Sequence, residues 1–68
     1  MEPLSIEGTL RTPTVKFNHL TGKIEIKGRS IMDNAIGFYK PLYAWIENYQ
    51  ANPQKHTEVN FQLEYFLI

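Results

Sequence analysis

Cysteine is absent from this chain. Its absence excludes disulfides, thiolate metal sites and a cysteine nucleophile together. Imidazoles are scarce too, with His19 and His56 the only two. Neither sign of charge dominates: seven basic residues balance seven acidic ones, without the clustered basic excess typical of nucleic-acid binders. No apolar run is long enough to span a bilayer. The opening MEPLSIEG has neither the basic nor the apolar region of a secretory signal. A cytoplasmic protein without membrane or nucleic-acid partners is the expectation. At 68 residues folding buries only about 60% of the surface exposed by the unfolded chain. Such small domains commonly rely on disulfides, a metal or oligomerisation. With the first excluded and two histidines for the second, oligomerisation or a further part of the domain is the expected reinforcement.

What is present is patterned. Leu4-Ser5-Ile6-Glu7 alternates as a short first strand, and Thr12-Pro13 interrupts before the next, since proline suits a strand start or edge. Val15 and Phe17 alternate with Lys16 and Asn18, and Lys23-Ile24-Glu25-Ile26-Lys27 resumes the alternation after a loop closing on Gly22. This predicts a β-hairpin with Gly22 left-handed. Gly28-Arg29-Ser30 then ends the hairpin, with Ser30 or Asp33 as helix N-cap. Ala35, Tyr39, Leu42, Ile46 and Tyr49 form an apolar stripe at helical spacing, widened by Ile36, Phe38, Tyr43 and Trp45. A helix over residues 33–50 would be about 27 Å long. Pro41 falls inside it, removes the bond to the Gly37 carbonyl, and is expected to kink or split the helix there. After the turn Ala51-Asn52-Pro53-Gln54-Lys55-His56, Val59, Phe61, Leu63 and Tyr65 alternate with polar residues as a last strand. A crossover in one sheet would set this strand parallel to the one before the helix. The fold class is α/β (α+β) in two layers: an N-terminal strand and hairpin, a Pro-kinked amphipathic helix, and one further strand. Residues 1–68 form a single domain or an N-terminal fragment of one.

Chemistry is harder to find. His19 and His56 sit in loops with no clustered acids, and Glu58 and Glu64 line the polar face of a strand. No phosphate loop, HExxH or nucleophile elbow occurs, so no catalytic, cofactor-binding or metal residue is assigned and no enzyme is expected. Gly8, Gly22, Gly28 and Gly37 read as turn or kink residues. Tyr39, Trp45 and Tyr49 suit core packing. Phe38 and Tyr43 flank the stripe and are better interface candidates, because exposed aromatics favour protein contact. Ser30, Thr57 and Tyr65 are phosphoacceptors only in principle, since capping or strand packing accounts for each.

The run GRSIMDNAIGFYKPLYAWIENY, preceded by TPTVKFNHLTGKIEIKG and followed by VNFQLEYF, resembles the SiaC family of bacterial regulatory phosphoproteins. The likeness extends over the opening MEPLSIEGTLRTP, so from Met1 to about Phe66. It implies a STAS-like (anti-anti-sigma-like) fold. It also implies a protein switched by a Ser/Thr kinase and a phosphatase, whose unphosphorylated form activates a diguanylate cyclase. In the family an Asn-Thr-Ser-Ser type segment carrying the phosphoacceptor follows the strand. Here Leu67 and Ile68 stand in that place, so no phosphorylated residue is carried over. An incomplete domain of this kind would bare apolar surface around Phe38, Tyr43, Tyr65, Phe66, Leu67 and Ile68, and a homo-oligomer covering it is expected. The alternative is a structural or dimerisation module without a switch.

Overall fold

The computed structural model describes residues 1–67, with side chains for residues 1–64. Strands β1 (Leu4–Ile6), β2 (Thr14–Asn18) and β3 (Lys23–Ile31) precede helix α1 (Ala35–Ala51), and β4 (Glu58–Leu67) follows it. They form one sheet in the order β1-β2-β3-β4. β1–β2 and β2–β3 are antiparallel, while β4 lies parallel to β3 as expected of a crossover. The architecture is the mixed two-layer one read from the pattern, with Pro13 buried just ahead of β2.

Alternation decides the two faces. Val15, Phe17, Ile24 and Ile26 point into the core against Leu42, Trp45 and Tyr49 of α1, with Leu4 and Ile6 at its margin. The opposite face carries Lys23–Glu58, Glu25–Lys27 and Arg29–Glu64 ion pairs. Exposed pairs of this kind are screened by water and add little to stability. The Lys27 hydrogen bond holds the Glu25 carboxyl below the usual carboxylate range, assisted by the Lys16 and Lys23 charges.

Gly22 adopts φ +76°, the left-handed conformation expected at the end of the hairpin loop. Its N–H donates to Asn18 O at 2.9 Å and its carbonyl accepts from Glu58 N at 2.8 Å. The residue therefore closes the hairpin and receives the first amide of β4.

Three local expectations need correction. Gly28 does not end the hairpin, because β3 runs on to Ile31. At Gly28 (φ +119°) the register with β4 slips: Gly28 pairs with Leu63, but Arg29 pairs with Tyr65. The extra residue Glu64 forms a bulge. Ser30 is not a helix cap either. It lies in β3, fully buried, with its hydroxyl 2.8 Å from Tyr39 Oη. Nor does Asp33 cap the helix. Asn34 does, its Oδ1 accepting from Gly37 N at 3.0 Å.

The helix is continuous across Pro41 rather than split. Pro41 and Gly37 are both exposed, so the carbonyl that loses its partner can bond to water. Gly37 has a duty at the cap: a Cβ there would collide with the Asn34 side chain. Pro41→Ala restores an intrahelical bond without opening a cavity. It is expected to raise stability by about 2 kcal/mol, the interior-proline penalty less the unfolded-state entropy it restores. Urea unfolding checks this; a midpoint that falls would contradict it.

Candidate functional site

The aromatic side chains of α1 divide between two roles. Trp45 lies between Phe17 and Tyr49, with ring centroids at 5.1 Å and 5.3 Å, the latter pair nearly parallel at 13°. Its Nε1–H donates to the Glu2 carbonyl at 2.7 Å, tying the N-terminal segment to the helix. Tyr49 Oη accepts from Gln54 N at 3.1 Å and lies 2.8 Å from Thr57 Oγ1. Gln54 Nε2 also donates to His19 O at 2.9 Å. These buried rings thus combine packing with polar anchorage of the loops, as large amphipathic aromatics do.

The second role lies on the flank of α1 that faces β4. Ile24 and Ile26 are registered with Val59 and Phe61, so these β4 residues share the helix-facing side of the sheet. Yet Val59 is 58% and Phe61 57% exposed. The helix covers the other strands and leaves Val59 and Phe61 of β4 bare. Between them lies a groove of about 810 Å³, floored by Phe17 and Ile26 and walled by Ile36 and Tyr43 on α1 and by Phe61 and Leu63 on β4. Ile36 is 80% and Tyr43 65% exposed. Tyr39 lies at its edge, while Lys40 and Glu47 supply its charged side chains.

The structure separates the two aromatic interface candidates. Tyr43 stands on the groove. Phe38, half-buried, is packed against the core and meets Tyr39 edge-on at 5.0 Å. One turn of α1 is 3.6 residues, so a five-residue spacing sends the two rings to opposite flanks of the buried stripe. Tyr65, Phe66 and Leu67 belong to β4 by backbone, but their side chains, and Ile68 altogether, lie outside the described residues. The serine and threonine weighed as phosphoacceptors are held by the bonds already given, Ser30 beneath Tyr39 and Thr57 against Tyr49.

Ile36, Phe61 and Leu63 were not distinguished as a site by periodicity. Their signal is the width of the apolar arc on α1: Ile36 and Tyr43 lie outside the stripe that one sheet contact requires. Among the described residues no three His, Asp or Glu side chains form a metal-holding group. No helix among them is long and apolar enough to cross a membrane. The geometry offers an apolar contact surface.

A family model described as SiaC family regulatory phosphoprotein matches residues 6–67. An uncharacterised protein of Pseudomonas aeruginosa strain UCBPP-PA14 is 28% identical over 65 residues, which cover 96% of this chain and 52% of that protein. Two solved structures of P. aeruginosa SiaC, one described as a crystal structure of the apo form, share 27% identity with a TM-score of 0.91. They match 98% of this chain with 55% of theirs. The chain spans about half the length of the relatives it matches. It belongs to the SiaC family of regulatory phosphoproteins.

Proposed function

We propose that the chain is a non-enzymatic docking module of the SiaC switch type, binding and activating a diguanylate cyclase under the control of a partner Ser/Thr kinase and a phosphatase. The supporting observation is the family match over residues 6–67. The exposed aromatic Tyr43 on α1 provides a contact for a protein partner, joined in this reading by Phe38 and by Tyr65, Phe66, Leu67 and Ile68. Control by phosphate has a simple physical basis: about −1.5 to −2 added charges next to an apolar contact would oppose docking. The cytoplasm, where such kinases and cyclases act, is the compartment this reading requires.

Binding of the purified chain to a SiaC-pathway diguanylate cyclase, with cyclic di-GMP synthesis as readout, tests the proposal. Saturable binding and raised synthesis are expected, and Tyr43→Ala should weaken binding about tenfold, as loss of an interfacial aromatic does. No binding to the cyclase would overturn it. Alone, the chain is expected to self-associate weakly through its bare apolar face. A compact monomer by light scattering at high concentration would remove that part. Self-association with no cyclase binding would favour the dimerisation module instead.

A further inference from the structure

Surface loops are as a rule looser than the elements they join. The connection between β1 and β2 is instead braced along its length. Gly8 N donates to Thr14 Oγ1 at 3.1 Å, and Thr9 N donates to Thr12 O at 2.9 Å. Thr9 Oγ1 accepts from Arg11 N at 3.1 Å and from Thr12 N at 3.0 Å, and lies 2.8 Å from Thr12 Oγ1. Arg11 O accepts from Ile31 N at 2.8 Å, which fastens the loop to β3, an inner strand of the sheet. Pro13 closes the loop and is buried.

This frame holds two side chains out into solvent. Leu10 is 81% exposed, and Arg11 beside it is exposed as well. Among the described residues Arg11 has no carboxylate partner. A single exposed leucine is ordinary, and Leu20 in the β2–β3 loop provides the contrast. The nearest lysine to it in sequence, Lys23, is already paired with Glu58. Only at Leu10 does an apolar tip stand next to an unpaired guanidinium. No residue of this loop lines the α1–β4 groove, so the two surfaces are separate.

We propose that the loop is a pre-built docking tip for the partner cyclase, with Leu10 entering an apolar pocket and Arg11 pairing with a carboxylate at its rim. Bracing in the free chain removes the ordering cost that a mobile loop incurs on binding. Arginine suits the second role because its planar guanidinium meets a carboxylate through two parallel hydrogen bonds. The kinase is the poorer occupant. A kinase must reach a free hydroxyl, whereas those of Thr9 and Thr12 are engaged with each other and with loop amides. An activated cyclase must remain engaged, which a rigid anchor serves. This contact presupposes the cyclase reading above and adds where the cyclase grips.

The test titrates the purified chain with a SiaC-pathway diguanylate cyclase by isothermal calorimetry, with cyclic di-GMP synthesis followed in parallel. Leu10→Ser and Arg11→Glu should each weaken binding at least about tenfold, as hot-spot residues do. Added salt should weaken wild-type binding more steeply than binding of Arg11→Gln. Thr9→Val keeps both contact side chains but removes the acceptor of two loop amides. It should weaken binding about threefold through lost bracing. Leu20→Ser, at a residue 70% exposed, should stay within about twofold, as surface changes do. Urea midpoints of the Leu10 and Arg11 variants should match the wild type, which separates contact from folding. Cyclase binding left unchanged by either Leu10→Ser or Arg11→Glu would overturn the docking tip and leave the cyclase reading standing. No binding by the wild-type chain would overturn both.

Discussion

Trp45→Ala is expected to leave the chain largely unfolded at 25 °C. Trp45 is the only tryptophan and is buried in the middle of the core cluster, in contact with Phe17 on the sheet and Tyr49 one turn further along α1. Truncating a buried tryptophan to alanine costs about 3–5 kcal/mol, through lost transfer energy and the cavity left behind. A single core of this size rarely supplies more than about 3–5 kcal/mol in total, so the loss is comparable with the whole stability. The substitution also releases the Glu2 carbonyl from its indole donor. Trp45→Phe separates the two effects: most apolar contact remains, the hydrogen bond is lost, and the expected cost is about 1–2 kcal/mol. Circular dichroism and dispersion of the amide NMR spectrum decide the matter. A cooperative transition retained in Trp45→Ala, with a loss below about 1 kcal/mol, would show that the aromatic cluster does not govern folding.

Gly22→Ala is the second large expected loss, about 2–4 kcal/mol, and the cause is backbone rather than packing. An L-residue held near φ +76° pays about 1–2 kcal/mol for the left-handed conformation. The rest is steric, because a Cβ at this position runs into the His56 carbonyl, with the Gln54 side chain and Tyr49 hydroxyl close behind. That carbonyl belongs to the backbone and cannot rotate away. The segment must shift, and the bond from Glu58 N to Gly22 O goes with it. Thermal unfolding measures the loss, and NMR should locate the largest changes at residues 18–23 and 54–59. An unchanged midpoint would mean that the loop after α1 yields at no cost.

Much of the fold was legible because its determinants are local or periodic. Val15, Phe17, Ile24 and Ile26 alternate, Gly22 occupies a turn that calls for a positive φ, and Leu42, Trp45 and Tyr49 recur at helical spacing. The misreadings fall where a tertiary contact overrides a local preference. Ser30 looks like a cap until β3 continues past it and Tyr39 takes its hydroxyl. Asp33 looks like a cap until the Asn34 side chain bonds to Gly37 N, where the missing Cβ leaves room for it. The bulge at Glu64 belongs to the pairing of β3 with β4, and no pattern within one strand encodes a partner's register. The groove was half legible. The alternation of Val59, Phe61 and Leu63 marks an apolar strand face, but only the placement of α1 over the other strands shows which part stays bare.

The parallel placement of β4 has a kinetic consequence. β1, β2 and β3 are sequential neighbours joined by short turns, whereas β4 reaches β3 only after the chain has travelled through the whole of α1. Closing a longer loop before any contact rewards it delays such pairing. The meander and helix can thus assemble first, and the last strand arrives on a surface already built. It has one neighbour to hold it in the described sheet, and an irregular register along that neighbour. A ligand that grips both α1 and β4 therefore acts as a clasp, slowing the escape of the element that arrives last.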